Sequence, residues 1–348
     1  MVVAADPYGR VRTCPLPLRA GGAGRNDRSH ASGGTVIRLT IAVAAVLLLV
    51  ACSSGSEPTP EPSSEPSSGP TPSSPSSSAP AVAAAPIDRR LAALEERYDA
   101  RVGVSLLDTG DGAAYSYRGD QRFGFASSVK VLVAAELLRR TGSAERAELV
   151  RWTQDDVDAA GYSPVTEAHV DRGLPLLRLA EAAVRESDNT ATNLVLERLD
   201  GPAGLTRGLL GRGDTTTVLA DDEPGLNEVS PGSPANTTTP DAFVADLRAL
   251  LGPEWLTDAD RRLLLGWMSG NPGGDPLIRA GAPAGWRVAQ KSGGAGPVRN
   301  DVAVLTPPDG RAPVLLAVLT TRLDPSAPYD DALVADAAEV ALGALEAS

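Results

Sequence analysis

The sequence predicts an α/β domain of the α+β kind: an antiparallel sheet flanked by helices, built from N- and C-terminal segments, with a central all-helical subdomain. Three observations carry this prediction. Apolar runs that read as strands lie at Val102–Leu107 and Ala114–Tyr117, and again at Val302–Thr306 and Val314–Thr320, so strands occupy both ends of the domain. The turn residues Asp108-Thr109-Gly110-Asp111-Gly112 join the first two runs as a hairpin. Helical periodicity with capped loops fills the interval from about 143 to 250. A cleft between the sheet and the helical block is the natural place for a site.

Taken in order, the chain opens on residues 1–35, which are rich in Gly and Arg and have no periodicity. Arg38 then precedes an apolar run, Leu39 to Ala51, too short to span a bilayer and suited to the core of a signal peptide. The run ends Leu49-Val50-Ala51-Cys52, followed by Ser53-Ser54-Gly55, and resembles a bacterial lipobox in which Cys52 is lipidated and becomes the first mature residue. The lead before the run is long for a signal, and a start at Val36 gives a compact one with Arg38 as its charged head. From Ser53 to about Pro86 the chain is Ser, Pro, Glu and Ala with almost no large apolar residue. Such a segment cannot bury a core and reads as an extended tether, reaching about 90–100 Å as polyproline II. The expected organisation is therefore lead plus signal at 1–51, tether at 52–85 and a folded domain at 86–348.

Within that domain Arg89 to Tyr98 shows helical periodicity through Leu91, Leu94 and Tyr98. A helix with a polar head follows the hairpin: Phe125-Ala126-Ser127-Ser128-Val129-Lys130 leads into apolar helix formers and stops at Gly142 after Arg139 and Arg140. Leu174 to Val184, Thr190 to Leu199 and Pro240 to Leu251 read as further helices, and Asp331 to Leu345 closes the chain with another.

Composition narrows the chemistry. A net charge of −12 argues against nucleic acid as a partner. Two His and two Cys are too few for a multi-His metal site or a disulfide framework, and His169 in its polar stretch reads as surface rather than as a base. Of 32 basic residues only two are Lys, at 130 and 291. Arg stays charged at any working pH, whereas Lys can be tuned to hold or give up its proton. Ser127 and Lys130, three apart on a helix, share one face and can touch, and a serine hydroxyl needs such a neighbour to become a nucleophile.

Three short motifs occur in order: Ser127-Ser128-Val129-Lys130, Ser187-Asp188-Asn189 and Lys291-Ser292-Gly293. Glu223-Pro224-Gly225-Leu226-Asn227, Pro231 and Thr237-Thr238-Thr239-Pro240 accompany them, as do Tyr162-Ser163-Pro164-Val165-Thr166-Glu167 and Ile278-Arg279-Ala280-Gly281. Each alone has a bland reading: Ser187-Asp188-Asn189 caps a helix, Glu223 is solvated surface, Lys291-Ser292-Gly293 is a strand-to-turn junction. Together, over about 86–346, they resemble the class A serine β-lactamases of the penicillin-binding superfamily.

The resemblance implies that Ser127 attacks the β-lactam carbonyl, with Lys130 beside it. It implies that Glu223 and Asn227 hold the deacylating water, that Ser187 passes a proton to the lactam nitrogen, and that the backbone N–H groups of Ser127 and Gly294 form the oxyanion hole. Substrate contacts would come from Tyr162, Asn189, Lys291, Ser292, Gly293, Gly294 and Arg299. Whether Lys130 or Glu223 is the acylation base stays open. No cofactor or metal is implied. The partners expected are small β-lactams and, through Cys52, the outer face of the cell membrane; a monomer is expected. Two rivals share the scaffold: a D-alanyl-D-alanine carboxypeptidase, which lacks the Glu–Asn water pair, and a non-catalytic wall-binding lipoprotein, which does not need every motif intact.

Departures from the family pattern are local. Ser292 stands where Thr is usual, the segment from Lys291 to Asp301 is one residue short, and Leu277 leaves Arg299 as the carboxylate-binding Arg. The loop carrying Glu223 lacks the usual Arg–Asp clamp and has Asp221 and Asn236 instead. Asp221 can accept a hydrogen bond from the Asn236 amide, and the loop is expected to keep its fold but open more readily.

Overall fold

The computed structural model describes residues 84–345 and, as a separate pair, the antiparallel three-residue strands Val3–Ala5 and Val11–Thr13. The apolar run, Cys52 and the tether to residue 83 lie outside the described residues.

The principal elements are helix α1 (Ala84–Tyr98) and strands β1 (Ala100–Asp108) and β2 (Ala114–Tyr117), then six helices: α2 (Lys130–Arg140), α3 (Leu176–Arg185), α4 (Asn189–Arg198), α5 (Pro202–Leu210), α6 (Pro240–Leu251) and α7 (Asp258–Ser269). Strands β3 (Arg287–Ala295), β4 (Val298–Thr306) and β5 (Val314–Arg322) follow, and helix α8 (Asp331–Leu342) closes the fold. The five strands form one antiparallel sheet in the order β2-β1-β5-β4-β3, so N- and C-terminal segments meet at the β1–β5 pair.

Strand alternation gives the sheet two apolar faces. Val102, Val104, Leu106, Ala303, Leu316 and Val318 turn to one core with α1 and α8, and Val302, Val304, Leu315, Ala317 and Leu319 turn to the other with the helical block. Helix α1 meets its core with Ile87, Leu91 and Leu94, spaced to share one face. In α2 every residue from Lys130 to Leu138 is buried. A helix apolar all round belongs in the middle of a core, and α2 is the axis of the helical block. The helices around it start on side-chain caps from Asp188, Thr239 and Thr257.

Three differences from the sequence expectation matter for the site. Ser127 lies in a 3₁₀ turn, Ala126–Val129, and the α-helix begins only at Lys130. The segment around Lys291, to which the sequence reading assigns no strand, is the nine-residue edge strand β3. Its Gln-Lys-Ser-Gly-Gly sequence has weak strand propensity, and pairing with β4 from Arg287 to Ala295 overrides that. His169 is half-buried, its Nδ1 2.8 Å from the Val165 carbonyl oxygen, so it is not a free surface group.

Candidate active site

The nucleophile turn is held from below by the sheet. Ala126, just before Ser127, has a φ of +45°, in the left-handed region that costs a side-chain-bearing residue energy and is found where surroundings impose it. Asn300 on β4 supplies part of that constraint: its buried Nδ2 donates to the carbonyls of Gly124 at 2.7 Å and Phe125 at 3.1 Å. Strand β3 approaches so closely that a Cβ on Gly293 would lie 2.7 Å from Ser128 N and 3.1 Å from Ser127 N. Only glycine permits that approach, and Gly294 is the next residue along the strand.

Lys130 is fully buried, and its Nζ donates to three oxygens: Glu223 Oε1 at 2.8 Å, the Ser187 carbonyl at 2.7 Å and Asn189 Oδ1 at 2.6 Å. Those three acceptors match the three donors of an ammonium. The spacing in sequence expects a Ser127–Lys130 contact, but the Ser127 hydroxyl instead donates to Glu223 Oε1, at a long 3.5 Å. The reason is burial: a charge out of water needs acceptors in every donor direction, and the loops around α4 and Glu223 bring them. Glu223, also buried, is pinned by its backbone. Its N–H donates to Asn193 Oδ1 and its carbonyl accepts from Asn193 Nδ2, both at 2.8 Å. Asn227 Nδ2 donates to Glu223 Oε2 at 2.9 Å, while Asn227 Oδ1 is buried and makes no hydrogen bond to the protein. The Glu223–Pro224 peptide is cis.

The second wall is the segment before α4. Ser187 has a φ of +57° and its hydroxyl accepts from Lys291 Nζ at 3.1 Å. Asp188 is the cap that the bland reading expects, accepting from Ala191 N at 2.8 Å. It also accepts from the Val165 and Thr166 amides and the Thr166 hydroxyl, locking this wall to the segment that carries Tyr162. Asn189 bridges inward, its Oδ1 on Lys130 and its Nδ2 donating to the Ala160 carbonyl at 2.9 Å. Lys291 also donates to the Ser292 carbonyl at 2.8 Å. Burial, and then the nearby Lys130 charge, hold the Lys291 pKa well below that of an ordinary lysine, against the pull of Asp301 and Glu223.

At the rim, Tyr162 is 43% exposed and Ser292 is buried on β3. Arg299 on β4 faces Gly294 in the strand register. Its Nε donates to Asp331 at 2.6 Å, and its guanidinium lies 4.7 Å from the Tyr329 ring centroid. The loop bearing Glu223 is fastened by buried Asn236 (φ +57°), whose Nδ2 donates to Asp221 Oδ2 at 2.8 Å, the pairing expected from the sequence. The network extends further: Nδ2 also reaches the carbonyls of Gly225 and Glu228, and Oδ1 accepts from the amides of Ala220 and Asp221. Asn193 and Asn300 are absent from the sequence expectation. Asn193 had a signal, four residues after Asn189 and so on the same face of α4; Asn300 had none.

A buried ammonium–carboxylate pair against a serine on a strained turn, with backbone N–H groups and a second lysine opposite, defines an active-site serine enzyme of the acyl-transfer class. Comparison with known proteins agrees. The profile described as Beta-lactamase enzyme family matches residues 86–345. The chain is 45% identical over 260 residues to a β-lactamase from Bacillus amyloliquefaciens, covering 74% of this chain and 84% of that one. A β-lactamase structure from Desulfarculus baarsii superposes with a TM-score of 0.73 at 40% identity, covering 76% and 98% of the two chains. The β-lactamase of Streptomyces albus G gives 0.72 at 38%, covering 74% and 99%. The chain belongs to the β-lactamase enzyme family, in its class A serine branch.

Proposed function

We propose that in this β-lactamase Glu223, not Lys130, takes the proton of Ser127 when the serine attacks the β-lactam carbonyl. The observation that carries this is the shared oxygen: Glu223 Oε1 receives both the Lys130 ammonium at 2.8 Å and the Ser127 hydroxyl at 3.5 Å. An ammonium whose three protons are all donated has no lone pair to offer, whereas the carboxylate does. Ser127 Oγ then bonds to the carbonyl carbon, and the oxygen that gains charge sits against the Ser127 and Gly294 N–H groups. The lactam C–N bond breaks as the Ser187 hydroxyl protonates the nitrogen, with the Lys291 ammonium behind it; Lys130, between Glu223 and the Ser187 segment, gives a proton to Ser187 and takes the one Glu223 received, which restores the hydroxyl and leaves Glu223 ionised. Water between Glu223 and Asn227 Oδ1 loses a proton to Glu223 and attacks the ester carbon; as the C–O bond to Ser127 breaks, Glu223 returns that proton to Ser127 Oγ and the ring-opened acid is released. Lys291 and Arg299 supply positive charge for the substrate carboxylate, and Tyr162, Asn189, Ser292 and Gly293 border the rest of the substrate.

Intact-protein mass spectrometry after mixing with penicillin tests the assignment. Ser127→Ala should gain no penicilloyl mass. Glu223→Ala should gain it slowly and retain it, because both half-reactions lose their base. Rapid gain and rapid release by Glu223→Ala would refute the role.

The apolar run and lipobox-like Leu49-Val50-Ala51-Cys52 support a lipid anchor at Cys52, with the catalytic domain held outside the cytoplasmic membrane on a Ser/Pro-rich tether. A monomer suits a domain whose site is assembled within one chain.

A further inference from the structure

Behind β3, on the face away from the catalytic cleft, lies a carboxylate the mechanism does not use. Asp301 on β4 is fully buried and pairs in register with Ser292, one residue from Lys291 and two from Arg299. Its Oδ2 accepts from the Ile278 amide at 3.2 Å, and its Oδ1 makes no hydrogen bond to the protein. The charged groups that act on it are Arg299 from its own strand and Lys291 from β3; the segment over it contributes only the Ile278 N–H. Arg279, next in that segment, is turned away to Asp275 and the Val288 carbonyl.

We propose that Asp301 is a positioning residue for the substrate carboxylate: its charge, sealed behind the strand, keeps Lys291 protonated and thereby sets the upper pH at which carboxylate-bearing β-lactams bind. The inference rests on the reading of Lys291 and Arg299 as the cations that receive the substrate carboxylate. Lys291 is buried, and burial is the largest influence stripping its proton, followed by Lys130 and, more weakly, Arg299. Two carboxylates oppose this, Asp301 ahead of Glu223. With little water between them, buried charges on neighbouring strands and opposite faces of the sheet act on each other strongly. Burial raises the pKa of Asp301 to about 7, against the Ile278 amide and the two cations. It is therefore ionised above neutrality, in the range where Lys291 most needs the support.

The test is Asp301→Asn, which keeps volume and removes the charge. The alkaline limb of kcat/KM for a carboxylate-bearing penicillin should move down by about one pH unit, equivalent to roughly a tenfold rise in KM at the pH where the wild type still binds well. The shift should be larger for the carboxylate-bearing β-lactam than for its carboxylate ester, because only the former loses a charge partner on Lys291; the part common to both reports the Lys291 ammonium behind Ser187. A purely structural Asp301 would lower Tm and leave the limb in place; an unmoved limb in a folded variant overturns the proposal. Asp301→Ser gives the same reading if the Asn variant does not fold. Arg299→Ala separates the two layers. If it leaves KM unchanged, the carboxylate-binding reading fails. If it raises KM while Asp301→Asn leaves the limb unmoved, only the role of Asp301 fails.

Discussion

Replacing Asn236 with Gly should loosen the loop that carries Glu223 without disturbing the rest of the domain. Glycine suits the native φ of +57° at no cost, so the variant isolates the side chain, whereas alanine would add about 1–2 kcal/mol of left-handed strain. The amide makes contacts to Asp221 Oδ2, the Gly225 and Glu228 carbonyls and the Ala220 and Asp221 amides, at 2.8 to 3.3 Å. A hydrogen bond to a charged group contributes about 1.5–3 kcal/mol and a neutral one about 0.5–1.5. Asp221 is exposed, so its bond belongs at the low end, and the freed loop groups recover part of the loss by turning to water. A net of about 2–3 kcal/mol remains, or roughly a 30- to 150-fold rise in the population of the open loop at 1.4 kcal/mol per factor of ten. Hydrogen exchange over residues 218–228 should accelerate by that factor while α2 keeps its protection. Because Asp221 is two residues from Glu223, deacylation should slow and acyl-enzyme should accumulate. Exchange as slow as in the parent would refute the clamp.

Lys130→Arg keeps a charge that no working pH removes. With Glu223 as base it should retain measurable acylation, reduced by the misfit of a planar fork among three converging oxygens; complete loss, read by stopped-flow with a chromogenic cephalosporin, would return the base role to Lys130. Asp246 on α6, beside Asp214, has a pKa pushed up to about 9 by burial and then by that neighbour, so the folded state holds a proton the unfolded chain gives up. Its contribution is complete below about pH 4 and is lost as pH rises through about 9, with a slope approaching 1.4 kcal/mol per pH unit. Asp246→Asn should therefore flatten Tm between pH 6 and 9; an unchanged slope would contradict a proton held on Asp246 in the folded state. Replacing Cys52 with Ala should release the domain from membranes or leave an uncleaved precursor, and membrane retention of a processed Cys52→Ala protein would exclude the anchor.

The parts of the site that sequence reading reached are those whose chemistry is packed into consecutive residues. Ser127 with Lys130, Ser187 with Asn189 and Glu223 with Asn227 each lie within one turn of chain, so local spacing carries the signal. Apolar runs likewise made β1, β4 and β5 visible, because both faces of these strands are buried, and the turn at 108–112 made β2 visible as the hairpin partner of β1. Strand β3 was not visible. Its glycines weaken strand propensity, and the need for them arises only where Gly293 meets the Ser127 turn, a contact between chain segments more than 160 residues apart. Asn193 and Asn300 were hidden for the same reason. Their partners are backbone atoms about 30 and 175 residues away, and a lone amide carries no periodicity that points there. Lys130 shows the limit most sharply. Helical spacing says correctly that it is near Ser127, but nearness does not decide where a buried ammonium donates. The loops that fold over α2 decide it by presenting two side-chain oxygens and a carbonyl. That choice favours the glutamate as the base we propose, and it is made by residues 57 to 93 positions away, beyond the reach of the helix's own pattern.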